Sequence, residues 1–175
     1  MRFTIEQSFR ASVAGVVRAL ASPEYLRDGM SQLPDIGVPT IRDQRVAGGV
    51  VRTTLVFQFQ GSLPTIVTKV IDPAKLSWIE ETTIDLDLAK ATFLMTPEHY
   101  ASFFTCQGSW AVTDISGGSK RTISGSMKVN SPVPFVGGQV ERAIVSGLRE
   151  RLAVEPPVLE QWLDANPVGK LKRKK

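Results

Sequence analysis

The chain has 175 residues, of which 42% are apolar and 22% are charged. These values are typical of one globular domain and argue against a disordered, collagen-like or coiled-coil chain. The isoelectric point is near 9.4, but the basic excess lies at the C-terminus, so residues 1–169 carry 16 basic against 17 acidic side chains. The body of the protein is therefore close to neutral, whereas a nucleic-acid-binding domain normally carries a basic excess on the fold itself, so we expect no specific nucleic-acid partner.

The basic excess belongs to a short tail. It contains five cationic residues: Lys170, Lys172, Arg173, Lys174 and Lys175. We expect a single domain over residues 1–165 and a solvated, disordered terminus over residues 166–175. A weak contact of this tail with an anionic membrane is the alternative.

Cys106 is the only cysteine, so a disulfide within the chain is excluded. The apolar stretch "ASVAGVVRALA" near the N-terminus is preceded by Glu6 and interrupted by Arg18, which favours an amphipathic helix over a signal peptide. No run reaches the roughly 18 to 20 apolar residues of a membrane span. We expect a cytoplasmic protein.

The N-terminal segment "RFTIEQSF" alternates apolar and polar residues and predicts a half-buried strand. Ser12 is placed to cap a first helix, and Ser22-Pro23-Glu24 is typical of the start of a second. We therefore expect two short helices that end by Pro34.

Period-two alternation then continues to Asn130, which is typical of an antiparallel sheet. Six strands are predicted, at 36–47, 50–59, 77–86, 89–96, 102–114 and 119–130. Gly48-Gly49 and Gly117-Gly118 lie where tight hairpins need positive φ. Residues 62–73 fit either a short helix or a buried strand.

A long amphipathic helix is predicted from a spacing of four between apolar residues: Val136, Val140, Ile144, Leu148 and Leu152. Pro156-Pro157 should end or sharply kink it. Gly137-Gly138 lies at the start of this pattern and lacks the spacing of a phosphate-binding loop. We interpret the glycine pair as the corner that turns the chain across the sheet.

This order of elements resembles the helix-grip fold of the START and birch-pollen-allergen (SRPBCC) superfamily. The stretches "MRFTIEQSF", "ISGSMKVNSPVPFVGGQVERAI" and "RLAVEPPVLEQWL" are similar to an uncharacterised, mainly actinobacterial branch of it, a domain of unknown function. The resemblance implies an α+β fold with a curved seven-stranded antiparallel sheet around a long C-terminal helix, and an internal apolar cavity. It supplies no catalytic motif, because one fold serves many activities.

One alternating face of the strands would line this cavity together with the long helix. The expected lining residues are Leu55, Phe57, Phe59, Trp78, Glu80, Phe93, Met95, Phe104, Cys106, Trp110, Ile123, Met127, Val140, Ile144 and Leu148. Gly108 and Gly125 interrupt the apolar face. They indicate either curvature of the sheet or room for a ligand.

Few residues are candidates for a catalytic role. Glu80 shares a face with Trp78, with Arg42 and Arg52 as candidate partners, and an enclosed Glu80 would be an acid or base. His99 and Tyr100 in a turn are weaker candidates, to be weighed against a plain surface histidine.

Cys106 is better explained as a small buried residue than as a nucleophile. Asp85 and Asp87 are more simply read as an acidic turn than as a cation site. We expect no metal and no cofactor.

The sequence thus favours a protein that binds a small hydrophobic molecule such as a fatty acyl chain, isoprenoid or polyketide. One alternative is an enzyme of the cyclase or dehydratase kind, which would use Glu80 or His99 with polar groups such as Tyr100 or Thr82. The other is a membrane-docked lipid carrier that uses the basic tail.

Overall fold

Seven antiparallel strands form one sheet in the computed structural model, which describes residues 1–33, 37–60, 65–68, 72–99, 104–130 and 136–167. The strands are β1 (Arg2–Phe9), β2 (Thr40–Ala47), β3 (Val50–Gln58), β4 (Ser77–Asp85), β5 (Lys90–Pro97), β6 (Phe104–Ile115) and β7 (Gly118–Val129). Their spatial order is β1-β7-β6-β5-β4-β3-β2, so the first strand pairs with the last. The predicted α+β fold with seven strands is confirmed. Strand β2 begins four residues later than predicted, and the predicted starts at 36 and 102 lie outside the described residues.

The hairpin glycines serve two purposes. Gly48, Gly49 and Gly117 have φ values of 55°, 75° and 83°, which confirms the predicted left-handed turns. Gly118 is needed for space instead, because a Cβ atom there would lie 2.0 Å from the carbonyl oxygen of Phe9. In the β4–β5 turn the Asp85 carboxylate accepts the backbone N–H groups of residues 87 and 88 at 3.1 and 2.8 Å, which agrees with an acidic turn.

The first helix, α1 (Val13–Ala21), begins as predicted. The Ser12 hydroxyl accepts a hydrogen bond from the backbone N–H of Gly15 at 3.2 Å. The second predicted helix forms a π-helical turn (Tyr25–Gly29) followed by a 3-10 turn (Met30–Gln32). Gly29 permits this arrangement, because a Cβ atom there would lie 2.3 Å from the buried ring of Tyr25. The predicted limit at Pro34 lies outside the described residues.

The ambiguous segment at 62–73 forms helical structure at residues 65–68 and at residue 73, and Asp72 between them is extended. A short helix, α2, covers Thr65–Thr68, and a 3-10 turn covers Pro73–Lys75. Residues 61–64 and 69–71 lie outside the described part of the chain.

The long C-terminal helix, α3 (Val136–Ala165), runs through both prolines. The predicted helix end at Pro156-Pro157 is therefore wrong. Pro156 has no N–H to donate to the Leu152 carbonyl four residues earlier, but the Gln7 side-chain amide donates to that oxygen at 2.6 Å. A residue of β1 thus satisfies the acceptor that the proline leaves open.

Gly137 and Gly138 lie inside the first turn of α3 rather than in a corner before it, so their predicted placement is also wrong. The carboxylate of Glu141 in the next turn accepts the backbone N–H of Val129 at 2.9 Å. This hydrogen bond ties the start of α3 to the end of β7.

Helix α3 packs mainly against β1, β7, α1 and the π-helical turn. The principal core lies there and includes Phe9, Val16, Tyr25, Val145 and Leu159. A smaller apolar cluster of Leu26, Leu55 and Phe57 lies beyond it, on the β3 and β4 side. The helix therefore packs more closely against the β1 and β7 side of the concave face than against the β3 and β4 side.

Candidate functional site

The strand register places one carboxylate in an otherwise apolar row of the concave face. Cross-strand pairing connects Leu55, Glu80, Met95, Cys106 and Met127 in turn. Adjacent strands are about 4.8 Å apart, so the row spans about 19 Å from β3 to β7. Glu80 lies one strand from the β3 end of the row.

The neighbouring row explains the two interior glycines. Phe93, Gly108, Gly125 and Phe3 are consecutive cross-strand partners. A Cβ atom at Gly108 would lie 2.5 Å from the Phe93 ring, and one at Gly125 would lie 2.5 Å from the Phe3 ring. The aromatic rings occupy the space beside the glycines, so the interpretation of these glycines as room for a ligand is wrong.

The predicted lining residues divide into two groups by burial. The fully buried ones are Leu55, Phe57, Cys106, Trp110, Ile123, Met127 and Val140. The half-buried ones are Phe59, Trp78, Glu80, Phe93, Met95, Phe104, Ile144 and Leu148. The second group includes residues in the middle of the concave face and residues of α3. The side chains of the second group therefore keep some accessible surface.

The Glu80 carboxyl lies in the protein interior, and burial raises its pKa. The Thr82 hydroxyl, which donates to Oε1 at 3.1 Å, and the positive charge of Arg151 on α3 oppose that rise. The prediction that Arg42 or Arg52 is the partner of Glu80 is wrong. Arg42 is paired with Glu98 at 3.6 Å, and Arg52 is exposed on the outer face of β3.

A buried polar network adjoins the interior and was missed by the sequence reasoning. Arg121 of β7 forms an ion pair with Glu155 of α3, and its Nε donates to the Gln7 side-chain oxygen at 2.6 Å. Gln7 donates to Glu155 at 2.9 Å, and the Tyr25 hydroxyl donates to the same carboxylate at 3.2 Å. Burial and the Glu155 charge raise the pKa of Tyr25, so its phenol stays protonated and acts as a donor.

The signal for this network is present in the alternation of the strands. Gln7 falls on the face of Phe3, Ile5 and Phe9, and Arg121 falls on the face of Ile123. A charged or amide residue on a buried face requires a partner. The partner, Glu155, is 34 residues from Arg121 and 148 from Gln7, and no local pattern connects them.

The remaining chemical candidates do not gather at Glu80. His99 is exposed in the turn after β5, and Tyr100 lies outside the described residues. Cys106 is buried, and burial together with the Glu80 charge raises the pKa of its thiol to about 12, which opposes a nucleophilic role. Within the described ranges, no three His, Cys, Asp or Glu residues cluster as metal ligands.

None of the described helices has the length and apolar character needed to cross a membrane. The basic tail from residue 168 onward lies outside the described residues.

The curved antiparallel sheet and the long C-terminal helix that crosses its concave face define a helix-grip protein of the α+β class. The chain belongs to the family described as "Protein of unknown function (DUF2505)", whose model matches residues 4–163. Uncharacterized protein Rv0481c of Mycobacterium tuberculosis is 26% identical over 172 residues, which cover 94% of this chain and 97% of the relative. Uncharacterized protein Mb0491c of Mycobacterium bovis shows the same values.

Solved structures agree on the fold. The protein TTHA0849 from Thermus thermophilus has a TM-score of 0.65 at 18% identity and covers 94% of this chain and 98% of its own. The Zhui aromatase/cyclase from Streptomyces sp. R1128 has a TM-score of 0.65 at 11% identity, with coverage of 97% and 98%. Ara h 8.0201 has a TM-score of 0.59 at 12% identity, with coverage of 95% and 99%. At these identities the likeness concerns the fold alone.

Proposed function

We propose that this chain is a cytoplasmic protein that encloses a small hydrophobic molecule, such as a lipid, isoprenoid or polyketide, between the concave face of the sheet and α3. The observation that supports this function is the accessible surface kept by inward-facing residues such as Phe93, Met95, Ile144 and Leu148. In a filled core these side chains would be fully buried. The helix-grip aromatase/cyclase neighbours are consistent with a hydrophobic ligand.

The mechanism of binding is desolvation of the ligand. Burial of about 400 Å² of hydrocarbon contributes roughly 10 kcal/mol before several kcal/mol are lost to immobilisation. Ligand access requires movement of the segment at 23–33, of the hairpin loops or of the first turn of α3. Gly137 and Gly138 favour the last of these, because glycine weakens a helix by about 1 kcal/mol relative to alanine.

Native mass spectrometry of gently purified protein tests the proposal, followed by solvent extraction and identification of the released molecule. We expect a bound mass that disappears on extraction. A protein that carries no added mass, and that also shows no saturable uptake of hydrophobic compounds offered to it, would contradict the proposed function.

A second candidate function is catalysis on a bound hydrophobic substrate. It is favoured by the contact between Thr82 and Glu80 and by the raised pKa of Glu80, which suits a general acid. The comparison of wild type with a Glu80→Gln variant separates the two functions. The molecule released from the variant is then offered to the wild type: a catalyst would convert it to a different molecule, whereas a binding protein would return it unchanged.

A further inference from the structure

Glu80 is a carboxyl group with few partners in an apolar setting. It follows Leu55 and precedes Met95 and Cys106 in the cross-strand row. Across the described part of the chain, its only hydrogen bond comes from Thr82, and it forms no ion pair at contact distance. A carboxylate can accept about four hydrogen bonds. Most of the accepting capacity of Glu80 is therefore unused by the residues that the structure describes.

An unsatisfied donor lies on the same face of the same strand. Trp78 is two residues from Glu80, and its indole N–H is buried without an acceptor among the described residues. The Trp78 ring stacks on Phe57 with 5.3 Å between centroids and 15° between planes, so its position is fixed by packing. Among the described residues, strand β4 thus presents a donor without an acceptor and an acceptor with one donor, two positions apart on the same face. Buried polar groups in this state call for an explanation.

We propose that Glu80 accepts a hydrogen bond from a hydroxyl group at one end of the bound apolar molecule, whose body extends over Met95, Cys106 and Met127. This inference rests on the proposed function and specifies its ligand as a hydroxylated hydrophobic compound. A hydroxyl both donates and accepts, which matches the two groups on β4. From β4 to β7 the row covers three strand spacings, so the apolar body has about 14 Å of sheet to lie on.

The surrounding charges select neither an anionic nor a cationic ligand. A ligand carboxylate would meet the like charge of Glu80, whose partner Thr82 already donates its hydroxyl proton to that residue. The charges of Arg151, Glu155 and Arg121 all act on Glu80. With Glu80 itself, two formal negative charges face two positive ones, so no net negative charge selects a ligand ammonium. A neutral hydroxyl needs no opposite charge.

Three matched probes test the inference by equilibrium dialysis: butylbenzene, 4-butylphenol and 4-butylbenzoate. The readout is the ratio of the dissociation constants of butylbenzene and 4-butylphenol, because comparing this ratio between variants cancels the hydration of each compound. In Glu80→Met we expect the preference for the phenol to fall roughly tenfold or more, as for a lost hydrogen bond to a charged group. The matched control is Glu81→Met, which changes the neighbouring exposed carboxylate on the outer face.

A second variant tests the same contact in case Glu80→Met does not fold. Thr82→Val removes the hydroxyl that orients Glu80 and should lower the same ratio several-fold, with folding of each variant checked by circular dichroism. The inference is overturned if the ratio is the same in wild type and Glu80→Met, or if 4-butylbenzoate binds the wild type best. Absence of saturable binding of all three probes to the wild type would instead overturn the proposed function, so the two failures are distinguishable.

Discussion

The passage of α3 through Pro156 depends on a residue of β1, and a double-mutant cycle tests this dependence. The first change is Gln7→Leu, which removes the hydrogen bond to the Leu152 carbonyl. The second is Pro156→Ala, which restores an N–H that can donate to the same carbonyl in the ordinary helical pattern. We expect the loss of Gln7 to be less harmful when residue 156 is alanine.

The magnitude follows from the hydrogen bonds of Gln7. Its side chain bonds Leu152, Glu155 and Arg121 at 2.6, 2.9 and 2.6 Å. Losses of about 1 to 1.5 kcal/mol per bond predict a decrease of about 3 to 4.5 kcal/mol in the free energy of unfolding for Gln7→Leu. Only the Leu152 contribution is relieved by Pro156→Ala, so the coupling energy should be about 1 to 1.5 kcal/mol.

Urea unfolding followed by tryptophan fluorescence measures all four proteins of the cycle, provided that the m-values agree. Pro157→Ala is the matched control, because it restores an N–H aimed at residue 153, which Gln7 does not contact. A coupling energy near zero with Pro156→Ala, or an equal coupling with Pro157→Ala, would refute the explanation given for the continuous helix.

Three further predictions concern the interior and the start of α3. Because folding raises the pKa of Glu80, its ionised form destabilises the protein above that pKa, and the effect disappears as the pH falls toward 4.5. Glu80→Met should therefore raise the free energy of unfolding at pH 8 and raise it less near pH 5. Equal gains at the two pH values would contradict a raised pKa of Glu80. Gly108→Ala should lower the free energy of unfolding, measured in urea, by about 3 kcal/mol or more, because its Cβ would meet the Phe93 ring and backbone atoms. An unchanged free energy of unfolding would contradict this close contact. Glu141→Ala removes the acceptor of the Val129 N–H and should speed the release of 4-butylphenol in stopped-flow experiments. An unchanged release rate would show that the start of α3 takes no part in ligand access.

The fold could be predicted because an antiparallel sheet with one buried face produces alternation along every strand. The faces of β6 and β7 follow from this rule, and the glycine turns follow from the need for positive φ at Gly48 and Gly117. The continuation of α3 through Pro156 could not be predicted in this way, since it depends on Gln7, which is 145 residues from the carbonyl it satisfies.

The candidate site was predictable in part for the same reason. Alternation placed Glu80 on the face of Trp78, and the structure has it facing the interior. Alternation does not identify the charge that lies opposite. That charge, Arg151, belongs to α3, and the spacing of apolar residues along a helix does not determine which strand its charged residues approach.

The central claim is that the interior encloses a hydrophobic molecule, and two adjacent tryptophan substitutions test it most directly. Met95→Trp would occupy the interior beside Glu80, whereas Leu94→Trp places the same ring on the outer face, where Leu94 is 42% exposed. We predict saturable binding of butylbenzene, with one molecule per chain, in the wild type and Leu94→Trp, and no binding in a folded Met95→Trp variant. Equal binding by all three proteins would contradict the claim, because the ligand site would then lie outside the space between the sheet and α3.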